Sequence, residues 1–80
     1  MKTVIECYGA STRWCGGALL ELDVDGATVG DALDLLAARY PEFASRRSGV
    51  AVAVGDAIVK PAHPLADGIR LALIPPVSAG

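Results

Sequence analysis

The chain has 80 residues, 52% of them apolar and 20% charged, with a formal net charge of -2 at pH 7. That allows one small domain and excludes the broad basic surface of a nucleic-acid binder; the one adjacent basic pair, Arg46-Arg47, reads as a solvated turn. No run approaches the roughly 18 apolar residues that span a bilayer, and Glu6 interrupts any leader-like stretch, so a cytoplasmic protein is expected, with Cys7 and Cys15 as free thiols and no metal site.

Residues 2 to 8 are β-branched and aromatic and read as a strand, with Thr3, Ile5 and Cys7 on its buried face. Residues 9 to 17, rich in turn formers, read as a loop. Residues 18 to 24 alternate again, Leu20, Leu22 and Val24 against Leu19, Glu21 and Asp23, which makes an antiparallel hairpin with the first strand. Asp25-Gly26 is a turn, and a helix follows. Thr28 is its N-cap and Asp31 completes a capping box. Val29, Leu33, Leu36 and Tyr40 form its core stripe, and Pro41 stops it. Residues 42 to 49 read as an exposed connector or a short helical turn, with Phe43 tucked inward. Residues 50 to 54 are a short strand, valines on one face and alanines on the other, and residues 57 to 59 pair back after the Gly55-Asp56 turn. A proline-containing loop leads to the last strand, residues 69 to 74, where Ile69, Leu71 and Leu73 alternate with Arg70, Ala72 and Ile74. One main helix and a mixed sheet of four to five strands make a two-layer α+β domain. With the first and last strands central and parallel, it is the ubiquitin-like β-grasp.

Few residues invite side-chain chemistry. His63, the single histidine, lies between two prolines in a turn; a structural role outweighs pairing with a cysteine. Cys15 sits beside Arg13, a cation that would lower a thiol pKa, but it is read as an ordinary exposed thiol, and Cys7 as a small core residue. Asp31 and Asp34 decorate a helix face, and no phosphate-loop pattern occurs. An autonomous enzyme is not expected.

The ending "IPPVSAG" is different. Residues 1 to 74 are expected to form the domain, and Pro75, Pro76, Val77, Ser78, Ala79 and Gly80 a flexible tail. Two prolines favour an extended path, so six residues reach roughly 20 Å. The terminal carboxyl is ionised at neutral pH, its pKa being about 3.5, and a carboxylate is a poor electrophile. Adenylation by ATP makes it a mixed anhydride that a sulfur nucleophile attacks, giving a thiocarboxylate.

"HPLADGIRLALIPPVSAG" resembles the closing signature of the MoaD-type sulfur carriers, the small subunit of molybdopterin synthase, within the MoaD/ThiS family. His63, Pro64, Leu65, Asp67, Gly68, Pro75, Pro76, Val77, Ser78 and Gly80 match it, and Arg13 and Gly17 match the first loop's Arg-x-x-x-Gly. The resemblance implies that an E1-like adenylating enzyme activates Gly80 with ATP, that a sulfurtransferase supplies sulfur, and that the tail then enters the large synthase subunit to build a dithiolene. The carrier itself is implied to bind no cofactor. Docking is implied on the sheet face away from the helix, through Ile58, Ala72 and Ile74, with Arg13 as a further contact. The same chemistry could serve another pathway, such as thiamin, cysteine or a thioacid metabolite, and a ubiquitin-like interaction module without sulfur chemistry is the other alternative. Ala79 departs from the family's glycine; its Cβ disfavours left-handed backbone by about 1–2 kcal/mol.

Overall fold

The computed structural model describes residues 1–9 and 11–76. Among them lie strands β1 (Lys2–Cys7), β2 (Leu19–Asp23), β3 (Ala51–Val54), β4 (Ala57–Val59) and β5 (Ile69–Ile74). Helices are α1 (Ser11–Trp14), α2 (Val29–Arg39) and α3 (Pro41–Arg46), followed by a 3-10 turn at Arg47–Gly49. The strand order is β2-β1-β5-β3-β4. β1 and β5 pair in parallel at the centre, and the other pairs are antiparallel. This is the expected ubiquitin-like β-grasp.

The core follows from alternation. Ile5 stands between Leu20 and Leu71, and Leu73 between Cys7 and Val52, along register lines on the helix side of the sheet. Val29, Ala32, Leu33 and Leu36 of α2 cover them, and Phe43 fills the corner beside α2. The expected stripe is present except that Tyr40 is only half-buried at the helix C-cap, while Ala32 joins the core.

α2 starts where the sequence places it. Thr28 Oγ1 accepts from the Asp31 N–H, and the Asp31 carboxylate accepts from the Thr28 and Ala27 N–H groups at 3.0 and 2.8 Å. Those hydrogen bonds, first from Ala27 and then from Thr28, hold the Asp31 carboxyl below the usual carboxylate range. A Cβ at Gly26 would lie 2.5 Å from that of Asp31, so the box needs glycine there.

One expectation needs correction. Residues 9–17 are not all loop: the Tyr8 carbonyl accepts from both the N–H and the hydroxyl of Ser11, and the Gly9 carbonyl likewise from Thr12, which starts α1. Turn-forming Ser and Thr here bond back to the i-3 carbonyls and begin a helical turn. The segment after Pro41 takes the short helical form of the two the sequence allowed. Tyr40 ends α2, and Pro41 stands in the first turn of α3, where a missing N–H costs nothing.

Candidate functional site

The tail is placed by the segment that precedes it. In residues 60–68 the carbonyls of His63 and Pro61 accept from the first N–H groups of α2, Val29 and Gly30, at 2.9 and 2.8 Å. Leu65 is buried, and its N–H donates to the Ala27 carbonyl at 2.8 Å. Asp67 Oδ1 accepts from the Lys2 N–H at 2.8 Å, and the Gly68 N–H donates to the Lys2 carbonyl at 2.8 Å. Gly68 has φ +83°, a left-handed conformation that favours glycine. The His-Pro-Leu-x-Asp-Gly signature therefore works through its backbone together with the Leu65 and Asp67 side chains: with the Pro61 carbonyl just before it, it closes the α2 N-terminus, leaving no free first-turn N–H for a phosphate, and it sets β5 in register beside β1. The hydrogen bonds found at His63 run through its main chain, in line with the structural role expected of it.

β5 then carries the chain along the sheet centre to Ile74. Pro75 and Pro76 remain against the domain, beside Gly9 and Gly49: a Cβ at either glycine would lie 3.6 Å from Pro75 or 3.7 Å from Pro76. The expectations for Val77, Ser78, Ala79 and Gly80 concern residues outside those described.

The other sheet face carries an apolar strip. Ile58, Ala53, Ala72, Glu6 and Leu19 are register partners across all five strands. Ile58 is 64% exposed and Ile74 40% exposed, with Ala72 half-buried between. The structure brings these three expected contacts together on one face, next to the tail. Leu19 and Tyr8, not singled out from sequence, are also exposed; Leu19 shares the strip through its pairing with Glu6. The strand alternation already contained Leu19. An exposed apolar strip on so small a surface has the character of an interaction site. Glu6 pairs with Arg70 at 3.4 Å along it. Arg13 lies elsewhere, exposed on α1 in the helical layer.

Cys15 is not an exposed thiol. It is 1% exposed, and Cys7 and Ser11 are buried near it. Burial, and then its hydrogen bond with Cys7, push the Cys15 thiol up to about 12. Burial also raises Cys7, against the hydrogen bonds from Cys15 and Ser11. Neutral core thiols are the opposite of an activated nucleophile. Among the described residues no group of three His, Cys, Asp or Glu could hold a metal ion, and no helix is long and apolar enough to cross a membrane.

Comparison with known proteins agrees with this arrangement. The ThiS family model matches residues 8–80. Small archaeal modifier protein 1 of Haloferax volcanii is 41% identical over 81 aligned residues, covering 81% of this chain and 85% of that protein. A crystal structure of SAMP1 from Haloferax volcanii superposes with a TM-score of 0.88 at 31% identity and full coverage of both chains. The complex of subunits 1 and 2 of molybdopterin-converting factor from Helicobacter pylori contains a chain with a TM-score of 0.71, 18% identity and full coverage of both chains. At that identity the likeness concerns the fold.

Proposed function

The chain belongs to the ThiS family of ubiquitin-like sulfur carriers and small modifiers, and from that premise we propose that its Gly80 carboxylate is the working group. An E1-like adenylating enzyme joins it to AMP, releasing pyrophosphate. A sulfurtransferase persulfide attacks the adenylate and displaces AMP, forming an acyl disulfide; a thiol then cleaves its S–S bond, becoming a disulfide itself and leaving a thiocarboxylate, which the carrier presents to the large subunit of molybdopterin synthase for dithiolene formation. The carrier is one unit of two parts, a rigid domain over residues 1–74 and a reaching tail over 75–80. It binds no cofactor; ATP belongs to the activating partner, and the work is cytoplasmic.

The observation that carries this reading is the conjunction at the end of β5. The central strand delivers the chain to Pro75 directly beside the exposed strip of Ile58, Ala72 and Ile74. A partner gripping that strip is thereby positioned to receive the tail. The ending Pro-Pro-Val-Ser favours the molybdopterin branch, and the paired subunits of the Helicobacter pylori factor support a protein partner.

A second reading has its own support. The likeness to a small archaeal modifier favours attachment of Gly80 to amino groups of other proteins. Both begin with the same adenylate, and mass spectrometry separates them. After incubation with the cognate adenylating enzyme, ATP and a sulfur donor, the C-terminal peptide is expected to gain the mass of an oxygen-to-sulfur exchange. Deleting Gly80 is expected to abolish that gain without changing the melting temperature. An unchanged peptide would sink the sulfur-carrier reading, and Gly80 remnants on target lysines would establish the modifier.

A further inference from the structure

The five arginines of the chain divide into two groups. Arg47 is held by Asp34 at 2.6 Å and Arg70 by Glu6 at 3.4 Å. Arg13, Arg39 and Arg46 are exposed and pair with no carboxylate among the described residues.

These three lie at one end of the molecule. Arg13 is next to Trp14 on α1, and the Arg46 guanidinium of α3 stands over the Trp14 ring, 5.3 Å from its centroid. Arg39 ends α2 just before Tyr40, whose ring lies beside Gly16 in the loop after α1. The tail leaves at this same end: Pro75 rests by Gly9, two residues before α1, and Pro76 by Gly49, three residues after α3. Glu42, exposed in the first turn of α3, is a carboxylate at this same end and forms no ion pair among the described residues; others gather at the opposite end. Asp23 and Asp67 flank the start of β1, and Asp56 occupies the β3–β4 turn. Arg13, Arg39 and Arg46 stand in the last turns of α1, α2 and α3, where basic residues suit a helix, but that role does not require all three to lack a carboxylate partner.

The four residues beyond Pro76 can reach at most roughly 14 Å. A partner closing over the Gly80 carboxylate must therefore bring the rim of its cleft against this end. We infer that Arg13, Arg39 and Arg46 form a basic collar round the root of the tail, which docks the acidic rim of the adenylating partner's cleft. Arg46, seated on Trp14, is the fixed member of the collar, and a guanidinium so placed keeps its charge toward solvent. The collar is a contact additional to the apolar strip on the open sheet face. It acts mainly on encounter, steering the tail toward the cleft, and is screened by salt.

The inference rests on the sulfur-carrier reading. Sulfur gain by the full chain is followed with the cognate adenylating enzyme at low and high salt. Arg13→Glu with Arg39→Glu, which leaves the Arg46–Trp14 pair in place, is expected to lower kcat/KM about tenfold at low salt, through KM. The deficit should shrink at high salt. Lys2→Glu makes half that charge change at the opposite end and should stay within about twofold of wild type; Arg13→Glu alone makes the same charge change as Lys2→Glu and should lower kcat/KM about threefold. If Arg13→Glu and Lys2→Glu behave alike, the collar is overturned. A wild-type chain that gains no sulfur overturns the carrier reading and the inference with it. A second readout does not depend on turnover. Trp14 is the single tryptophan, so 5-fluorotryptophan labelling gives one fluorine resonance. That resonance should shift when the unlabelled partner is added, and an unmoved resonance at saturation overturns the inference.

Discussion

The two faces of the sheet are made from the same strands and hold opposite surfaces. On the α2 side, Ile5, Leu71 and Leu73 are fully buried. On the other side, one residue along each strand, Ala72 is half-buried and Ile74 is exposed. A period of two lets a single strand store stability on one set of positions and present a docking strip on the next. β5 does both within Leu71–Ile74 and then becomes the tail. The difference teaches that apolar character alone does not mark the core: Ile58 is as hydrophobic as Ile5, and only the helices' choice of face separates them.

The largest expected effect breaks the covered face. Leu71→Ala empties a fully buried site at the centre of the sheet and is expected to cost about 2–5 kcal/mol, which lowers Tm by at least about 10 °C in a domain this small. Ile58→Arg and Ile74→Arg on the open face are expected to change stability by less than about 0.5 kcal/mol, while weakening partner binding by tenfold or more. Melting curves beside a binding titration test the pair. A large loss of stability from Ile58→Arg would mean that the open face belongs to the core after all.

A smaller effect sharpens the boundary of the covered face at Cys15. Cys15→Ser puts a hydroxyl among apolar neighbours and is expected to cost about 1–3 kcal/mol, yet sulfur gain per folded molecule should be unchanged. Loss of sulfur gain in a still-folded Cys15→Ser chain would restore a chemical role for the thiol. The pH dependence has a definite sign. The folded thiol titrates near 12 against an ordinary value of 9.0, so its contribution is complete below about pH 9 and is lost as pH rises toward 12. Thermal melts from neutral to alkaline pH should fall more steeply for wild type than for Cys15→Ala.

Most of the architecture was legible because it rests on local rules. Alternation gave the buried faces of β1, β2 and β5, and Thr28 with Asp31 marked the start of α2. The open-face positions Ala72 and Ile74 followed from the same alternation once the helix side was known, whereas Ile58 came from the family resemblance. What stayed hidden depended on contacts between distant segments. Ser11 and Thr12 look like turn residues, and their back-bonding to Tyr8 and Gly9 shows only in three dimensions. Cys15 looks exposed in a glycine-rich loop until α1 folds it inward beside Cys7. His63 and Pro61 supply carbonyls to α2, a pairing across some thirty residues that no spacing announces. The collar needed α1, α2 and α3 assembled at one end before its three arginines could be seen together.

The smallest expected effect concerns how the covering helix is held in place. Thr28→Ala removes one half of the capping box and is expected to cost about 1 kcal/mol, read as a small drop in Tm. Asp31 supplies the other half. Its carboxyl is held below the usual range by the N–H groups of Ala27 and Thr28, so its contribution is present above its unfolded value, near 3.8, and is lost as pH falls through the lowered folded value. Asp31→Asn should therefore lower stability at neutral pH and flatten the acid limb of the stability curve. Because the cap is joined to the segment that sets β5, through Val29 to His63 and Gly30 to Pro61, hydrogen exchange in Thr28→Ala should quicken at those two amides before it quickens in β5. The reverse order, with β5 opening first, would mean that the tail's strand is held by the sheet alone and owes nothing to the helix cap.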